Sequence, residues 1–339
     1  MDVKYEIIGS LGKGMNAEVF EVRSSLTNTH FAAKVSKNVL PAFFEAEANI
    51  HSRVTHPNVV QFISSFRSQD CGVKGTKILS PDIDGRCGVM ILELCNEGTM
   101  EGFIKSRRLA TMSQISAWGS EIASGLLYLK EQGIIHRDIK PENILFSFDG
   151  VKIADFGFAD FVEKMDVFEN PNREVVGTPF YMPLEGFKNI YGHFTDVFAL
   201  GVIFYELYTG YMPYTAGNQS QLLKSLERHK ITFEVIKRLK EDRNEEFEAL
   251  IIRMLSKDRS LRPTIEEIVH HPFLQQSPLE TTIIIDEDDD SKMLMDQFRF
   301  DKAEFGDGDR HQFYLYLANK NPFDTPLSMK VFTNLWNRL

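Results

Sequence analysis

From Ile134 the chain reads IIHRDIKPENILF, and from Val151 it reads VKIADFGFA. His136, Arg137, Asp138, Lys140, Glu142 and Asn143 are packed into a few residues between two short apolar runs of strand type. Charged groups are seldom held between apolar strands unless partners compensate them. Such a loop needs a large surrounding core, and its side chains point to a shared chemical task. Asp138 can accept a proton from a hydroxyl nucleophile, Lys140 can neutralise a migrating phosphoryl group, and Asn143 can coordinate a hard cation through its amide oxygen. Asp155, twelve residues beyond Asn143, offers a second cation ligand at the end of the next strand, with Phe156 and Gly157 as a hinge. His136 reads as a core packing residue rather than a proton carrier.

A chain of 339 residues is long enough for two lobes with separate cores. YEIIGSLG, AEVFEVRSS, HFAAKVS and GVMILELC have strand character, and one helix, PAFFEAEANIHSRV, opens at Pro41. The span 68–86, rich in Gly and Asp, reads as a surface insertion between strands. Beyond Cys95 the pattern turns helical. Met112 to Gln132 carries Ile115, Ile122, Leu126 and Leu129 on one face, with Ser113 as its cap and Gly133 as its stop. TDVFALGVIFYELYTG is apolar nearly all round, as suits a helix buried mid-domain. The expected fold is α+β: a small β-rich lobe over 1–95, a helical lobe over 96–275, an acidic linker over 276–290 and a segment of unassigned type over 291–339.

Net charge is −10, but residues 286–290 alone supply five negatives, so the rest is only mildly acidic and gives no support to nucleic-acid binding. No stretch approaches the roughly 18 apolar residues of a membrane span, and MDVKYEIIGS lacks a signal-peptide pattern. Cys71, Cys87 and Cys95 fit no zinc spacing, and their odd number points to a reducing interior. The expectation is a soluble intracellular protein, cytoplasmic or nuclear.

Three further features bear on chemistry. In LGKGMNAEVF, starting at Leu11, Gly12 and Gly14 would let main chain approach phosphate oxygens that a Cβ would push away, although an ordinary hairpin reads the same way. Lys34 lies on an apolar strand in FAAKV, where a lysine usually points to water. Glu47 on the following helix could meet it, as could Glu45.

In order, G-x-G, strand Lys34, helix Glu47, HRDIKPEN, DFG, GTPFY and DVFALGVIFYEL resemble a eukaryotic protein kinase over about Tyr5 to Phe273. KPEN and Thr178 in GTP resemble the serine/threonine branch, where the threonine bridges the catalytic Asp138 and Lys140. The resemblance implies transfer of the γ-phosphoryl group of ATP to serine or threonine hydroxyls of protein substrates, with Mg²⁺ (or Mn²⁺) held by Asn143 and Asp155. It makes Asp138, Lys140, Thr178, Lys34 and Glu47 the catalytic set. It also implies nucleotide contacts from Leu11, Gly12, Gly14, Val19, Ala32, Lys34, Leu92 (the gatekeeper), Glu93, Cys95, Leu145 and Asp155. Asp196 should support the catalytic loop, and Arg262 should pair with Glu185.

The chain also departs from the pattern. Ala17 stands where a third glycine is common, and Pro183-Leu184-Glu185 replaces the usual Ala-Pro-Glu. These departures keep a second reading open, a pseudokinase or adaptor scaffold. Between Asp155 and Glu185 the only hydroxyl side chains are Thr178 and Tyr181. Glu174 sits where relatives often carry a phosphorylated residue, so its carboxylate is expected to pair with Arg137 and order the loop without phosphate. Glu142 and Glu206 could attract basic substrate residues or be structural, while Thr99 weakens a basic consensus. TTIIIDEDDD resembles a segment that binds the modifier SUMO or a similar partner through Ile283–Asp290, with a solvated linker as the alternative. The aromatic residues beyond Ser291 argue that this segment folds onto the kinase or onto a partner.

Overall fold

The computed structural model describes residues 3–275 apart from 15–16, 38–40, 70, 72–77, 83, 107–108, 163–167, 170–174, 229 and 234–242. Glu174, the acidic linker with Ile283–Asp290, and the segment 291–339 therefore lie outside the described residues.

The first lobe is an antiparallel sheet of β1 (Tyr5–Lys13), β2 (Ala17–Ser24), β3 (His30–Ser36), β4 (Phe62–Ser68), β5 (Ile78–Leu79) and β6 (Cys87–Leu92), in the order β4-β6-β3-β2-β1-β5. Alternation along β6 divides its side chains. Val89 and Ile91 join Tyr5, Val22, Ala33 and Val35 on one face, while Met90 turns to the other face beneath Phe44 and Ala48 of helix α1 (Pro41–His51). The helix seats directly on strand backbone, because a Cβ at Gly88 would lie only 2.3 Å from the Phe44 ring.

β4 and β5 depart from the sequence reading. FISSFRS alternates half-buried and exposed positions at the sheet edge, so its hydroxyls weaken the strand signal. Within the expected 68–86 loop, Ile78 and Leu79 return to pair with Glu6 and Tyr5, and Leu79 is fully buried. Cys71 and Cys87 form a disulfide, and Cys95 is the free thiol. This pairing departs from the reducing setting that an odd cysteine count suggests, since strand pairing brings together cysteines that sequence spacing leaves apart.

The helical lobe is built on α2 (Met100–Lys105), α3 (Met112–Glu131), α4 (His193–Thr209), α5 (Gln219–Arg228), α6 (Glu245–Met254), α7 (Ile265–Val269) and α8 (Pro272–Gln275). α4 runs through its centre with Phe198, Leu200, Val202, Ile203 and Phe204 essentially inaccessible, and ends at Gly210 in the left-handed region (φ 77°). The cap of α3 is Thr111, not Ser113. Thr111 Oγ1 accepts from Gln114 N–H and the Gln114 side chain accepts from Thr111 N–H, a reciprocal pair that satisfies both orphan donors. Two short antiparallel pairs complete the lobe beside α3: β8 (Ile144–Ser147) pairs with β9 (Gly150–Ile153), and β7 (Ile134–Ile135) pairs with β10 (Asp160–Phe161). Further along, β11 (Phe168–Glu169) pairs with β12 (Ile190–Tyr191). Among the described residues no helix is long and apolar enough to cross a membrane.

Candidate active site

The polar loop 136–143 bridges β7 and β8, and its main chain is fixed from below. Asp196 on α4, 4% exposed, accepts from His136 N–H and Arg137 N–H, both at 2.9 Å. Burial pushes the Asp196 carboxyl upward despite these two donors. Arg137 takes a left-handed backbone (φ 65°), which turns Asp138 back toward the cleft. Asp138 Oδ1 accepts from Thr178 Oγ1 at 2.7 Å, its Oδ2 lies 2.7 Å from the Lys140 ammonium, and Lys140 donates to Thr178 Oγ1 at 2.8 Å. Aspartate, lysine and threonine thus close a triangle. Asn143 donates through Nδ2 to the Asp138 carbonyl (2.9 Å) and carboxylate (3.1 Å), which leaves its amide oxygen as an acceptor. His136, fully buried, bonds to the Ala154 carbonyl through Nε2 and accepts from Asp138 N–H through Nδ1, a structural arrangement.

Across the cleft, Lys34 Nζ lies 2.5 Å from Glu47 Oε1 and 2.7 Å from Asp155 Oδ1. Burial disfavours the Lys34 charge, but the Asp155 and Glu47 carboxylates outweigh it and hold the ammonium protonated beyond its ordinary range. Burial also opposes ionisation of Asp155, yet the Lys34 charge brings its carboxyl down to about 2. Glu47 moves upward, through burial and the neighbouring Asp155, with Lys34 only partly offsetting them. Glu45 does not take part in this ion group. The Asn143 and Asp155 oxygens suit a hard cation. They are too few to hold one without further oxygens from substrate and water. Consistently, no group of three or more His, Cys, Asp or Glu side chains among the described residues could hold a metal alone.

Between these two halves stands a column of rings. Phe62, His51, Phe156 and His136 follow one another, with centroid separations of 5.8, 4.4 and 5.2 Å. His51 is 1% exposed, and its Nε2 donates to the Val60 carbonyl at 2.7 Å, so α1 is tied to the segment that leads into β4. The signal for His51 was present in the sequence: it lies four residues after Glu47, one helical turn along the same face. Burial drives its pKa from 6.5 to about 4. A base depressed in the folded state is fully stabilising above about pH 6.5 and loses that contribution as pH falls toward 4, to a limit of about 3 kcal/mol. We expect the melting temperature of His51→Leu to depend less on pH between 6.5 and 4 than that of the wild type. Parallel slopes in differential scanning fluorimetry would count against this assignment.

The sequence pattern of the protein kinase domain matches residues 5–274. The chain belongs to the protein kinase family. Among similar proteins, the calcium-dependent protein kinase 6 of Plasmodium berghei (strain Anka) is 28% identical over 270 residues, 78% of this chain and 17% of that protein. The probable serine/threonine-protein kinase CCRP1 of Zea mays is 29% identical over 284 residues, 81% of this chain and 42% of that protein. Serine/threonine-protein kinase PLK2 of Mus musculus is 28% identical over 274 residues, 78% of this chain and 36% of that protein. The chain thus spans less than half the length of each of these relatives.

The other positions expected from the kinase resemblance lie on or next to the strands described above. Val19 pairs with Lys34 across β2 and β3, Ala32 pairs with Leu92 across β3 and β6, and Leu145 lies on β8 opposite Lys152. Apart from its chain neighbours, a Cβ at Gly12 would meet none of the described residues within 4 Å, and Leu11 beside it is exposed. Glu93 and Cys95 follow β6, and burial together with Glu93 pushes the Cys95 thiol up to about 12. The altered Pro183-Leu184-Glu185 still delivers its carboxylate to Arg262, which grips both Glu185 oxygens. Thr99 proves to be the cap of α2, accepting from Gly102 N–H, and Glu206 accepts from the Tyr181 hydroxyl at 3.0 Å. Arg137 donates to Asp160 Oδ2 at 3.1 Å and to the Phe158 carbonyl at 2.6 Å. Sequence reading passed over Asp160, whose nearness to Arg137 depends on β10 folding against β7.

Proposed function

We propose that this chain is an ATP-dependent serine/threonine protein kinase. The observation that carries the reading is the closed Asp138–Lys140–Thr178 triangle, facing a Lys34–Glu47–Asp155 group that is already assembled. Lys34, steadied by Glu47, binds the nucleotide phosphates. Asn143 and Asp155 would hold Mg²⁺ or Mn²⁺, which supplies charge neutralisation on those phosphates when bound. Asp138 accepts a hydrogen bond from the substrate serine or threonine hydroxyl and takes its proton as the oxygen attacks the γ-phosphorus. The bond from that phosphorus to the β–γ bridging oxygen breaks, and ADP departs. Lys140 offsets charge on the moving group, and Thr178 keeps Asp138 aimed. Most of the acceleration then comes from placement and fixed charge. The pseudokinase alternative rests on Ala17 and the altered Pro183-Leu184-Glu185, and neither removes a side chain from these two groups.

The same reading extends to regulation: the enzyme works without phosphate on the stretch between Asp155 and Glu185. Thr178 and Tyr181 are both engaged, with Asp138 and Glu206 respectively, and Arg137 is charge-compensated within the fold by Asp160. We expect phosphatase-treated protein, verified by mass spectrometry, to keep its turnover on a peptide library in the presence of magnesium, and Asp160→Asn to lower it. A drop of more than about tenfold on dephosphorylation would overturn this regulatory claim. Absence of γ-phosphoryl transfer to any serine or threonine peptide would overturn the reading itself.

A further inference from the structure

Lys152 is a lysine of β9 with only 5% of its side chain exposed. Its neighbours Val151 and Ile153 point into the core, and Lys152 points the other way, behind the segment that joins the lobes. Its ammonium meets three oxygens from three separate segments. These are the Pro57 carbonyl at 2.9 Å, Glu93 Oε1 at 3.0 Å and Asp149 Oδ2 at 3.2 Å. Burial works against the charge, but Glu93 and Asp149 outweigh it and keep the ammonium protonated.

The partners are themselves interlocked. Glu93 N–H donates to the Gln61 carbonyl at 2.9 Å, and Gln61 N–H returns a bond to Glu93 Oε2 at 3.1 Å. Asn58 Nδ2 donates to the Val151 carbonyl, Ile153 N–H to the Asn58 carbonyl, and Val60 N–H to the Ile153 carbonyl. Residues 57–61 therefore form a strap from the start of β4 to β9. Glu93 is bonded to that strap, and among the described residues Lys152 is the charged group that touches strap and Glu93 together. The main chain just past Glu93 is where the kinase reading places the adenine edge.

We infer that Lys152 is a positioning residue for nucleotide, a clamp behind the lobe junction that fixes Glu93 and thereby the backbone on which the base rests. The inference depends on the kinase reading for the location of the base. Lys152 itself touches no substrate. Losing the clamp frees Glu93 to drift and should weaken nucleotide affinity, while leaving Asp138, Lys140 and Thr178 in register.

The test is direct binding of a fluorescent ATP analogue with magnesium, beside steady-state kinetics, for wild type, Lys152→Met, Lys152→Arg and Glu93→Gln. We expect Lys152→Met to raise both the nucleotide Kd and the KM for ATP about tenfold, the scale of a lost charged hydrogen bond. At saturating ATP, kcat and the peptide KM should stay within about twofold, as for an interaction lost from nucleotide binding alone. Lys152→Arg should recover most of the loss. Glu93→Gln, which keeps its shape and its bond to Gln61, should show a smaller shift in the same direction and serves if Lys152→Met fails to fold. Unchanged nucleotide Kd in Lys152→Met, or in Glu93→Gln where that variant stands in, would overturn the proposal. So would kcat and both KM values worsening together. A wild type that binds nucleotide but transfers no phosphate would instead refute the kinase reading, and the binding comparison would still judge the clamp.

Discussion

Asp138→Asn is expected to lower kcat by about 10²- to 10⁴-fold, the range for removing a general base. Asparagine keeps the shape of the side chain and can still engage Thr178, so the loop should hold its position. It cannot take the hydroxyl proton, and it gives Lys140 no counter-charge in place of the carboxylate now 2.7 Å away. In the proposed reading nucleotide is held by a different set of side chains, the Lys34, Glu47 and Asp155 group. The KM for ATP should therefore move little, and magnesium-dependent nucleotide binding should survive. Radiolabel transfer within tenfold of wild type would mean that Asp138 is not the base.

The second large effect is expected at Arg262, in stability rather than rate. Its side chain is 1% exposed, grips both Glu185 oxygens, donates to the Ser256 and Phe194 carbonyls at 2.9 and 3.1 Å, and lies 4.9 Å over the Phe198 ring. Arg262→Met removes the cation and strands a mostly buried carboxylate and two carbonyls. A loss of about 3–5 kcal/mol in unfolding free energy is the expected scale for breaking a buried pair from one side. Adding Glu185→Leu should recover part of it, because the unpaired charge disappears. Chemical denaturation of the two single variants and the double variant checks this, and a loss near 1 kcal/mol, the scale of an exposed pair, would mean the pair is solvated. Any change in peptide KM measured beside it reports on the segment that Glu185 anchors.

Much of this was legible in the chain because motif chemistry is local in sequence. HRDIKPEN and DFG present their side chains from short loops, and an apolar run such as the one in α4 leaves little choice but burial. The mismatches arise where a residue's role is set by a distant strand. FISSFRS carries hydroxyls on an edge strand, so alternation is blurred, and Ile78 and Leu79 become a strand only because β1 has an open edge at Tyr5 and Glu6. Ser113 is a capping residue type near the start of α3, but Thr111 holds that place through the reciprocal bond with Gln114. Asp160 and Lys152 carry no motif. Only the pairing of β10 with β7, and of β9 with β8 and the strap, shows what each charge meets.

Asp196 grips the main chain at His136 and Arg137 from the first turn of the buried helix α4, whereas Lys34 and Glu47 depend on a sheet and one helix of eleven residues. We expect the two sides of the cleft to open as different cooperative units. On heating, amide protons of the sheet and α1 should exchange with solvent first, and ATP capture should fade before calorimetry registers melting of the helical lobe.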